Sequence, residues 1–325
     1  DNLTYLIQSC YDINDYIIID RNVYNLDQSC LDNIKLSNVY FIDAKESNKT
    51  IDTVLFIIDR LIELKLSKKN KILVIGGGIT QDIGGSVSAL LKRGFTWWLI
   101  PTTLLSMTDS AIGAKTCLNR GGKNMLGLFY APKRIIISNY FLNSLAEQDI
   151  ISGIGESLKL ALIGGKENVD LFMHYYKNND YINIIKLSNS IKKLIIEYDE
   201  LEKNERRVLN YGHTCGHALE IASNYNIPHG IAVLFGMYIV NLLFYNNKFE
   251  LINNYMLNLI PKKFKGIKID YQQFECCLLN DKKNQGTKIC FILLEKYGKT
   301  IFIYREFIEI KKQLKQILSI LFDIN

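Results

Sequence analysis

The sequence predicts an α/β domain over residues 1–140, followed by an all-α domain over residues 141–325. In the first part, short apolar runs alternate with segments whose apolar residues have helical spacing, which is typical of a mainly parallel sheet covered by helices. In the second part, helical segments follow one another. A chain of 325 residues that is 48% hydrophobic is long enough to bury two cores.

Each predicted element has its own local signal. Continuous apolar runs predict strands that are covered on both faces, at Tyr16–Asp20, Val39–Asp43, Lys71–Ile75, Trp97–Ile100 and Arg134–Ser138. Helical spacing of apolar residues predicts helices at Thr50–Leu66, Thr80–Arg93, Glu147–Ile163, Tyr181–Leu201, Tyr211–Ser223, Ile231–Tyr245, Glu250–Leu259 and Glu306–Phe322. A Tyr-Gly turn between Lys288–Leu294 and Thr300–Tyr304 predicts a small hairpin.

Charge and composition exclude several classes of protein. The net charge of +6 is dispersed, and no helix-turn-helix, zinc-finger or RNP-type motif occurs, so nucleic-acid binding is not expected. The longest apolar run, Ile231–Phe244, is too short for a membrane span, which indicates a buried helix and no membrane insertion. Seven cysteines without a CxxC pair predict free thiols in a reducing compartment, the cytoplasm.

Residues 71–85 read KILVIGGGITQDIGG, a buried strand that runs into three glycines and then into a helix. Glycines let a ligand approach the backbone, and a helix N-terminus offers free N–H groups to phosphate. A nucleotide or phosphate site is one interpretation, and a tight strand–helix turn without a ligand is the other.

Residues 101–130 are rich in Gly, Ser and Thr, and we expect them to form a loop that carries function. Lysines near glycines suit a phosphate or carboxylate ligand, although an ordinary polar loop is an alternative. The candidate residues here are Asp109, Lys115, Lys123 and Asn124.

The histidines point to a metal. Three of the four, His213, His217 and His229, lie within 17 residues, whereas His174 stands apart and is expected at the surface. His213 and His217 are spaced i, i+4, so one helix face would carry both as a ligand pair. No Glu follows the first His as in HExxH, which excludes that protease motif.

Glu156 and Lys159 share a helix face at i, i+3, and Glu156 is either a surface charge or a buried ligand. Lys192, Arg206 and Asn210 are equally ambiguous alone, although the ERRVLN segment before the His pair suggests anion capture.

Together these segments resemble the 3-dehydroquinate synthase family of sugar phosphate cyclases. The similarity covers about residues 15 to 300, and eight motifs in order make it specific. They are GGGITQDIGG, RG, IPTTLLSMTDSAIGAKTCLN, KNMLGLFY, GIGESLK, LNYGHTCGHALE, PHGIAVLFGM and NDKK. The resemblance implies a Rossmann-like NAD-binding domain followed by a helical metal- and substrate-binding domain, in a homodimer.

The resemblance also implies the site residues. Those for NAD are Asp20, Glu46, Lys49, Gly77, Gly78, Asp82, Thr102, Thr103, Asp109, Lys115, Lys123 and Asn124. Those for a divalent metal, zinc or else cobalt, are Glu156, His213 and His229, which makes His217 a proton carrier that acts with Lys159 and Lys115. Those for the anionic sugar phosphate are Arg93, Asp109, Lys115, Asn124, Lys159, Lys192, Arg206, Asn210, His217 and Lys283, with Arg93 reaching toward the partner subunit.

The implied reaction turns 3-deoxy-D-arabino-heptulosonate 7-phosphate into 3-dehydroquinate and phosphate, a step of aromatic amino acid biosynthesis in the shikimate pathway. Ile231, where the family usually has Glu, loosens the assignment of the substrate. The alternatives are a cyclase that makes a valiolone- or inosose-type ring, a related NAD- and metal-dependent polyol dehydrogenase, and a binding protein without catalysis.

Overall fold

The computed structural model describes residues 2–245 and 248–324. The chain divides into two compact units, residues 1–145 and residues 146–325. In the described residues, no helix is both long enough and apolar enough to cross a membrane. All seven cysteines are free, as predicted.

The first unit is an α/β unit. In chain order its elements are α1 (Leu3–Gln8), β1 (Tyr16–Asp20), α2 (Arg21–Tyr24), β2 (Val39–Ile42), α3 (Ile51–Glu63), β3 (Ile72–Gly76), α4 (Gly78–Leu90), β4 (Trp97–Pro101), β5 (Lys115–Leu118), β6 (Leu126–Phe129) and β7 (Arg134–Ile135). Five of the strands form a parallel sheet in the order β2-β1-β3-β4-β7.

The central strands of this sheet are buried along their whole length, which explains why they are continuous apolar runs in the sequence. Helices α3 and α4 pack apolar residues such as Val54, Ile57 and Ile83 into one core with the strand residues Ile18 and Val74. The predicted α/β class is therefore confirmed for this unit. Strand β7 pairs over only two residues, fewer than the apolar run suggests.

The segment expected to be a loop contains an antiparallel hairpin, β5–β6, so that expectation is wrong in part. Thr116 and Leu118 point inward on β5, while every residue of β6 is exposed. Because β6 buries neither face, it lacks the alternation of apolar and polar residues by which a strand is recognised.

The second unit is mainly helical. Its elements are α5 (Glu147–Gly164), α6 (Lys166–Lys177), α7 (Tyr181–Tyr198), α8 (His213–Ala222), α9 (His229–Tyr245), α10 (Glu250–Leu259), β8 (Lys268–Ile269), α11 (Tyr271–Leu279), β9 (Lys288–Lys296), β10 (Lys299–Glu306), α12 (Phe307–Leu321) and β11 (Asp323–Ile324). Helices α6 and α11 were not predicted. The predicted hairpin is present as β9–β10, and β8 and β11 add a short parallel pair to the helices.

Glycines let α9 approach two other helices at backbone distance. A Cβ atom on Gly230 of α9 would lie 1.8 Å from the carbonyl oxygen of Ser152 on α5. A Cβ atom on Gly236 would lie 2.0 Å from the carbonyl oxygen of Gly212, just before α8. Real Cβ atoms do not tolerate such contacts, so only glycine permits these crossings. They bring the side chains at the helix crossings close together.

Candidate functional site

Glu156 is the centre of a buried polar cluster in the second unit. It lies on α5 and is fully buried. Its Oε1 atom lies 3.4 Å from Nε2 of His213 and 3.2 Å from Nε2 of His229. Its Oε2 atom makes an ion pair with the Lys159 ammonium group one turn along the same helix. The structure therefore selects a buried role for Glu156 over a surface charge.

Neither carboxylate oxygen of Glu156 accepts a well-directed hydrogen bond from the described part of the chain, despite these near neighbours. Burial raises the pKa of this carboxyl group, but Lys159 and His229 outweigh burial and lower the pKa to about 2. An ionised carboxylate with open lone pairs, surrounded by imidazole nitrogens, is a donor set that suits a divalent metal.

The three clustered histidines meet in space. His213 and His217 lie on α8 and His229 begins α9. The ring centroids of His213 and His217 are 5.1 Å apart, and each lies 5.3 to 5.7 Å from that of His229. Their nitrogens lie within 4.8 Å of one another, close enough to hold one ion. The i, i+4 spacing thus places both α8 histidines on one face, as predicted, and His174 is exposed, also as predicted.

Two different acceptors face the outer nitrogens of these rings. Nδ1 of His213 lies 3.2 Å from the backbone oxygen of Tyr211, and Nδ1 of His229 lies 3.1 Å from Oε2 of Glu220. Burial holds the pKa of His213 well below its usual value. Burial also lowers the pKa of His229, but Glu220 and Glu156 reverse this and raise it to about 9. The two carboxylates therefore favour positive charge at the position of His229.

Three residues of this cluster were missed by sequence reasoning. Glu220 contacts His229, Tyr211 contacts His213, and Ser152 accepts a 2.9 Å hydrogen bond from the Gly230 N–H at the start of α9. A signal for Glu220 existed, because it follows His217 by three positions and so shares its helix face. The contacts of Ser152 and Tyr211 form only in the folded chain, so no sequence spacing pointed to these two residues.

The other predicted substrate residues of this unit are mostly buried. Lys159, Lys192 and Arg206 are nearly inaccessible; Lys159 pairs with Glu156, and the Arg206 guanidinium donates to the Glu200 carbonyl oxygen. The Nδ2 atom of Asn210 donates to Glu202 at 2.8 Å, and Nζ of Lys283 donates to Asp281 at 2.6 Å.

In the first unit, the glycine loop joins β3 to α4, as predicted. Gly77 caps α4 and Gly78 begins it. A Cβ atom on Gly77 would lie 2.9 Å from Cγ2 of Thr103, while one on Gly78 would meet only Ser110 at 3.8 Å. Thr103 itself is held by Ser106, whose Oγ accepts from the Thr103 N–H at 3.1 Å.

Lys49 contacts three of the other residues predicted to bind the cofactor. Its buried Nζ atom lies 3.3 Å from Glu46 and 3.1 Å from Asp82, and it donates to Oδ1 of Asn124 at 2.6 Å. Burial raises the pKa of Asp82 to about 6, although Lys49 opposes this shift. Asp82 also accepts a 3.1 Å hydrogen bond from the Cys117 N–H on β5.

The remaining predicted residues of this unit occupy other positions. Asp20 ends β1 and caps α2 by accepting from the Asn22 N–H at 2.9 Å. Arg93 is exposed, with a φ of +61°. The others are partly or fully buried in β5 or in nearby turns, at Thr102, Asp109, Lys115 and Lys123.

Both units match models of one protein family. The family model described as 3-dehydroquinate synthase N-terminal matches residues 39–152, and the one described as 3-dehydroquinate synthase C-terminal matches residues 153–284. The chain belongs to the 3-dehydroquinate synthase family. A 3-dehydroquinate synthase of Pelagibacter ubique (strain HTCC1062) is 34% identical over 326 residues, covering 92% of this chain and 87% of the relative. The resemblance predicted from the motifs is confirmed.

Two solved structures have the same fold as this chain. A 2-deoxy-scyllo-inosose synthase complexed with carbaglucose-6-phosphate, NAD+ and Co2+ matches with a TM-score of 0.80 at 22% identity, covering 97% of this chain and 95% of that one. A 2-epi-5-epi-valiolone synthase from Streptomyces hygroscopicus subsp. jinggangensis 5008, with NAD+ and Zn2+ bound, matches with a TM-score of 0.79 at 24% identity, covering 94% and 91%.

Proposed function

We propose that this protein is an NAD- and metal-dependent lyase that converts 3-deoxy-D-arabino-heptulosonate 7-phosphate into 3-dehydroquinate and phosphate. The observation that carries the proposal is the buried Glu156 carboxylate, which faces Nε2 atoms of His213 and His229 at 3.2 to 3.4 Å in a member of the 3-dehydroquinate synthase family.

Glu156, His213 and His229 are the proposed metal ligands. A carboxylate and two imidazoles form a donor set typical of catalytic zinc, which leaves a position open for substrate. Cobalt accepts the same donors. The open lone pairs of Glu156 support this assignment. When bound, NAD accepts and returns one hydride and the cation polarises the oxygen that is oxidised.

The first unit supplies the proposed NAD site. Gly78 leaves room beside the start of α4, where no side chain caps the helix, and a helix N-terminus offers N–H groups to a pyrophosphate. Lys49 holds Glu46 and Asp82 in place beside this turn. The other proposed contacts are Asp20, Thr102, Thr103, Asp109, Lys115, Lys123 and Asn124.

His217 is the proposed proton carrier. It lies on the same helix face as His213, and a ring that is not a metal ligand is able to exchange a proton with the substrate. Lys159 and Lys115 are its proposed catalytic companions. Lys159 is fixed by its ion pair with Glu156, so its ammonium group is held in one place without substrate.

An acidic sugar phosphate is the proposed substrate because the second unit buries cations. Lys192 and Arg206 are buried in this unit, and an ammonium and a guanidinium group are typical ligands for a carboxylate or phosphate. The other proposed substrate contacts are Asn210 and Lys283 in this unit, and Asp109, Asn124 and Arg93 in the first unit.

A homodimer in the cytoplasm is also part of the proposal. Strand β6 exposes Leu126, Leu128 and Phe129, and Met125 next to it is 67% exposed. An apolar edge of this kind is suited to burial against a second copy of the chain, with Arg93 reaching the partner. The seven free cysteines support a reducing compartment.

Phosphate release tests the proposed reaction. The metal-loaded protein with NAD is incubated with 3-deoxy-D-arabino-heptulosonate 7-phosphate, with sedoheptulose 7-phosphate or with glucose 6-phosphate. We expect release only from the first substrate, without net accumulation of NADH. Release only from a sugar phosphate without a carboxylate would instead indicate another cyclase. Ile231, which is fully buried on α9, is then the residue to examine.

Metal content tests the ligand set independently of activity. We expect the parent protein to retain one divalent ion per chain and His213→Ala to lose it. Equal metal content in both proteins would contradict the proposed ligands. Steady accumulation of NADH with substrate would instead support a polyol dehydrogenase.

A further inference from the structure

His229 lies between two carboxylates. Its Nε2 atom is 3.2 Å from Oε1 of Glu156, and its Nδ1 atom is 3.1 Å from Oε2 of Glu220. Glu220 lies on α8 and is 3% exposed, so this contact is buried. The proposed ligand set includes only the first of these two carboxylates.

We infer that Glu220 is a positioning residue that orients His229 and strengthens it as a metal ligand. This inference rests on the proposed metal-dependent function. When His229 holds a cation through Nε2, the ring is neutral and its one N–H group lies on Nδ1, where it donates to the Glu220 carboxylate. The lone pair then lies on Nε2, which is the atom that faces Glu156.

The two proposed histidine ligands differ in this respect. Nδ1 of His213 faces a neutral acceptor, the Tyr211 carbonyl oxygen at 3.2 Å. Both rings are thus set in the same tautomer, with Nε2 toward Glu156, but only His229 has a full negative charge behind it. A carboxylate that accepts from an imidazole raises the basicity of the ring and so its strength as a ligand.

Hydrogen bonds fix the backbone on both sides of the Glu220–His229 contact. The carbonyl oxygen of Glu220 accepts from the Tyr225 N–H at 2.7 Å and from Oγ of Ser223 at 3.1 Å. On the other side, the Gly230 N–H donates to Oγ of Ser152 at 2.9 Å and anchors the start of α9. These bonds fix the backbone on both sides, and the Glu220 carboxylate then sets the orientation of the His229 ring.

Metal affinity is the decisive measurement, because it does not depend on turnover. Metal-stripped full-length protein is titrated with Zn2+ or Co2+ in competition with a chelator, for the parent, Glu220→Gln and Glu220→Ala. We expect Glu220→Gln, which keeps the shape and removes the charge, to bind about 10- to 100-fold more weakly. Glu220→Ala should bind at least as weakly, and the visible absorption of bound Co2+ should change in both.

Glu275→Gln is the matched control. Glu275 lies on α11 of the same unit and pairs with Lys311 at 3.1 Å, so removing its charge tests for a general effect of losing a carboxylate. We expect its metal affinity to stay within about twofold of the parent, because it contacts none of the proposed ligands.

The outcomes separate the inference from the proposed function. If the parent binds the ions and Glu220→Gln binds them equally well with the same Co2+ spectrum, the role of Glu220 is refuted while the metal site stands. If the parent binds neither ion, the metal-dependent function itself fails, and this inference with it. Melting in the presence of chelator identifies any variant that does not fold, and Glu220→Gln decides the matter if Glu220→Ala unfolds.

Discussion

The Lys49 network of the first unit and the Glu156 cluster of the second hold their charges in different ways. Lys49 is surrounded by Glu46, Asp82 and Asn124, so the protein itself satisfies this cation. Glu156 is more deeply buried, yet its oxygens accept no well-directed hydrogen bond from the described residues.

The cause of this difference is the way each region is built. Three members of the Lys49 network, Glu46, Lys49 and Asn124, lie in short turns, and only Asp82 lies on a long helix, α4. Glu156 and the histidines project from helices whose backbones touch at glycines, so their positions are set by helix packing. A rigid scaffold can keep donor atoms open toward a ligand, whereas flexible side chains tend to satisfy one another.

The largest change in stability is expected from a variant that disrupts the helix packing around the Glu156 cluster. In Gly230→Ala the new Cβ atom would overlap the Ser152 carbonyl oxygen, which is 1.8 Å away and belongs to backbone that cannot turn aside. We expect the variant to lose more than about 4 kcal/mol of unfolding free energy or to fail to fold. Circular dichroism and denaturant titration measure this.

Gly78→Ala is the control in the first unit, where the nearest atom to the new Cβ would be 3.8 Å away. Its unfolding free energy should stay within about 0.5 kcal/mol of the parent value. Similar stability for the two variants would show that α9 and α5 do not cross at backbone distance.

A smaller loss of stability is expected when one charge is removed from either network, and its size should differ between the two. Glu156→Gln leaves the buried Lys159 ammonium without its counter-ion, so we expect metal-stripped protein to lose about 3 to 5 kcal/mol of unfolding free energy. Asp82→Asn should cost less, because Lys49 keeps Glu46 and Asn124. Denaturant titration of both variants measures the difference.

The double variant Glu156→Gln with Lys159→Met removes both charges and should recover most of the lost stability. Additive losses in the double variant would mean that the two groups do not depend on each other in the folded protein.

The smallest effect is a pH dependence in the first unit. The pKa of Asp82 is raised from 3.8 to about 6 by burial, so the folded chain binds this proton more tightly than the unfolded chain does. The stability that this proton contributes is complete below about pH 4 and is lost as the pH rises to about 6. The unfolding free energy of the parent relative to Asp82→Asn should fall over that range, by up to about 3 kcal/mol.

Unfolding free energies of the parent and Asp82→Asn at pH 4, 5, 6 and 7 measure this difference. A constant difference across the range would show that the Asp82 carboxyl group titrates alike in the folded and unfolded chains.

Local patterns were sufficient for most of the fold. Tyr16–Asp20 and Glu250–Leu259 have the predicted bounds, because a buried strand and an amphipathic helix each mark their own length. Helix α6 and strand β6 were missed for a shared reason. Helix α6 buries only Val169 and Phe172, and β6 buries no residue, so neither has the spacing of apolar and polar residues that marks a well-buried face.

The candidate site was predicted unevenly. The i, i+4 spacing brought His213 and His217 onto one face, and the family motifs added Glu156 and His229. The i, i+4 spacing treats His213 and His217 alike, so it could not assign one as the proposed ligand and the other as the proposed proton carrier. Glu220 and Ser152 were not predicted, since their roles arise from contacts between helices.

The amino-acid order alone determined the two-part architecture, the glycine turn before α4 and the family, because these depend on short-range patterns and on motifs in series. Only the tertiary structure decided that Glu156 is buried, that Lys49 is shared by two carboxylates, and that the two imidazoles point the same nitrogen at one oxygen. These features require residues far apart in the chain to meet, and their distances depend on how closely the glycines allow the helices to approach.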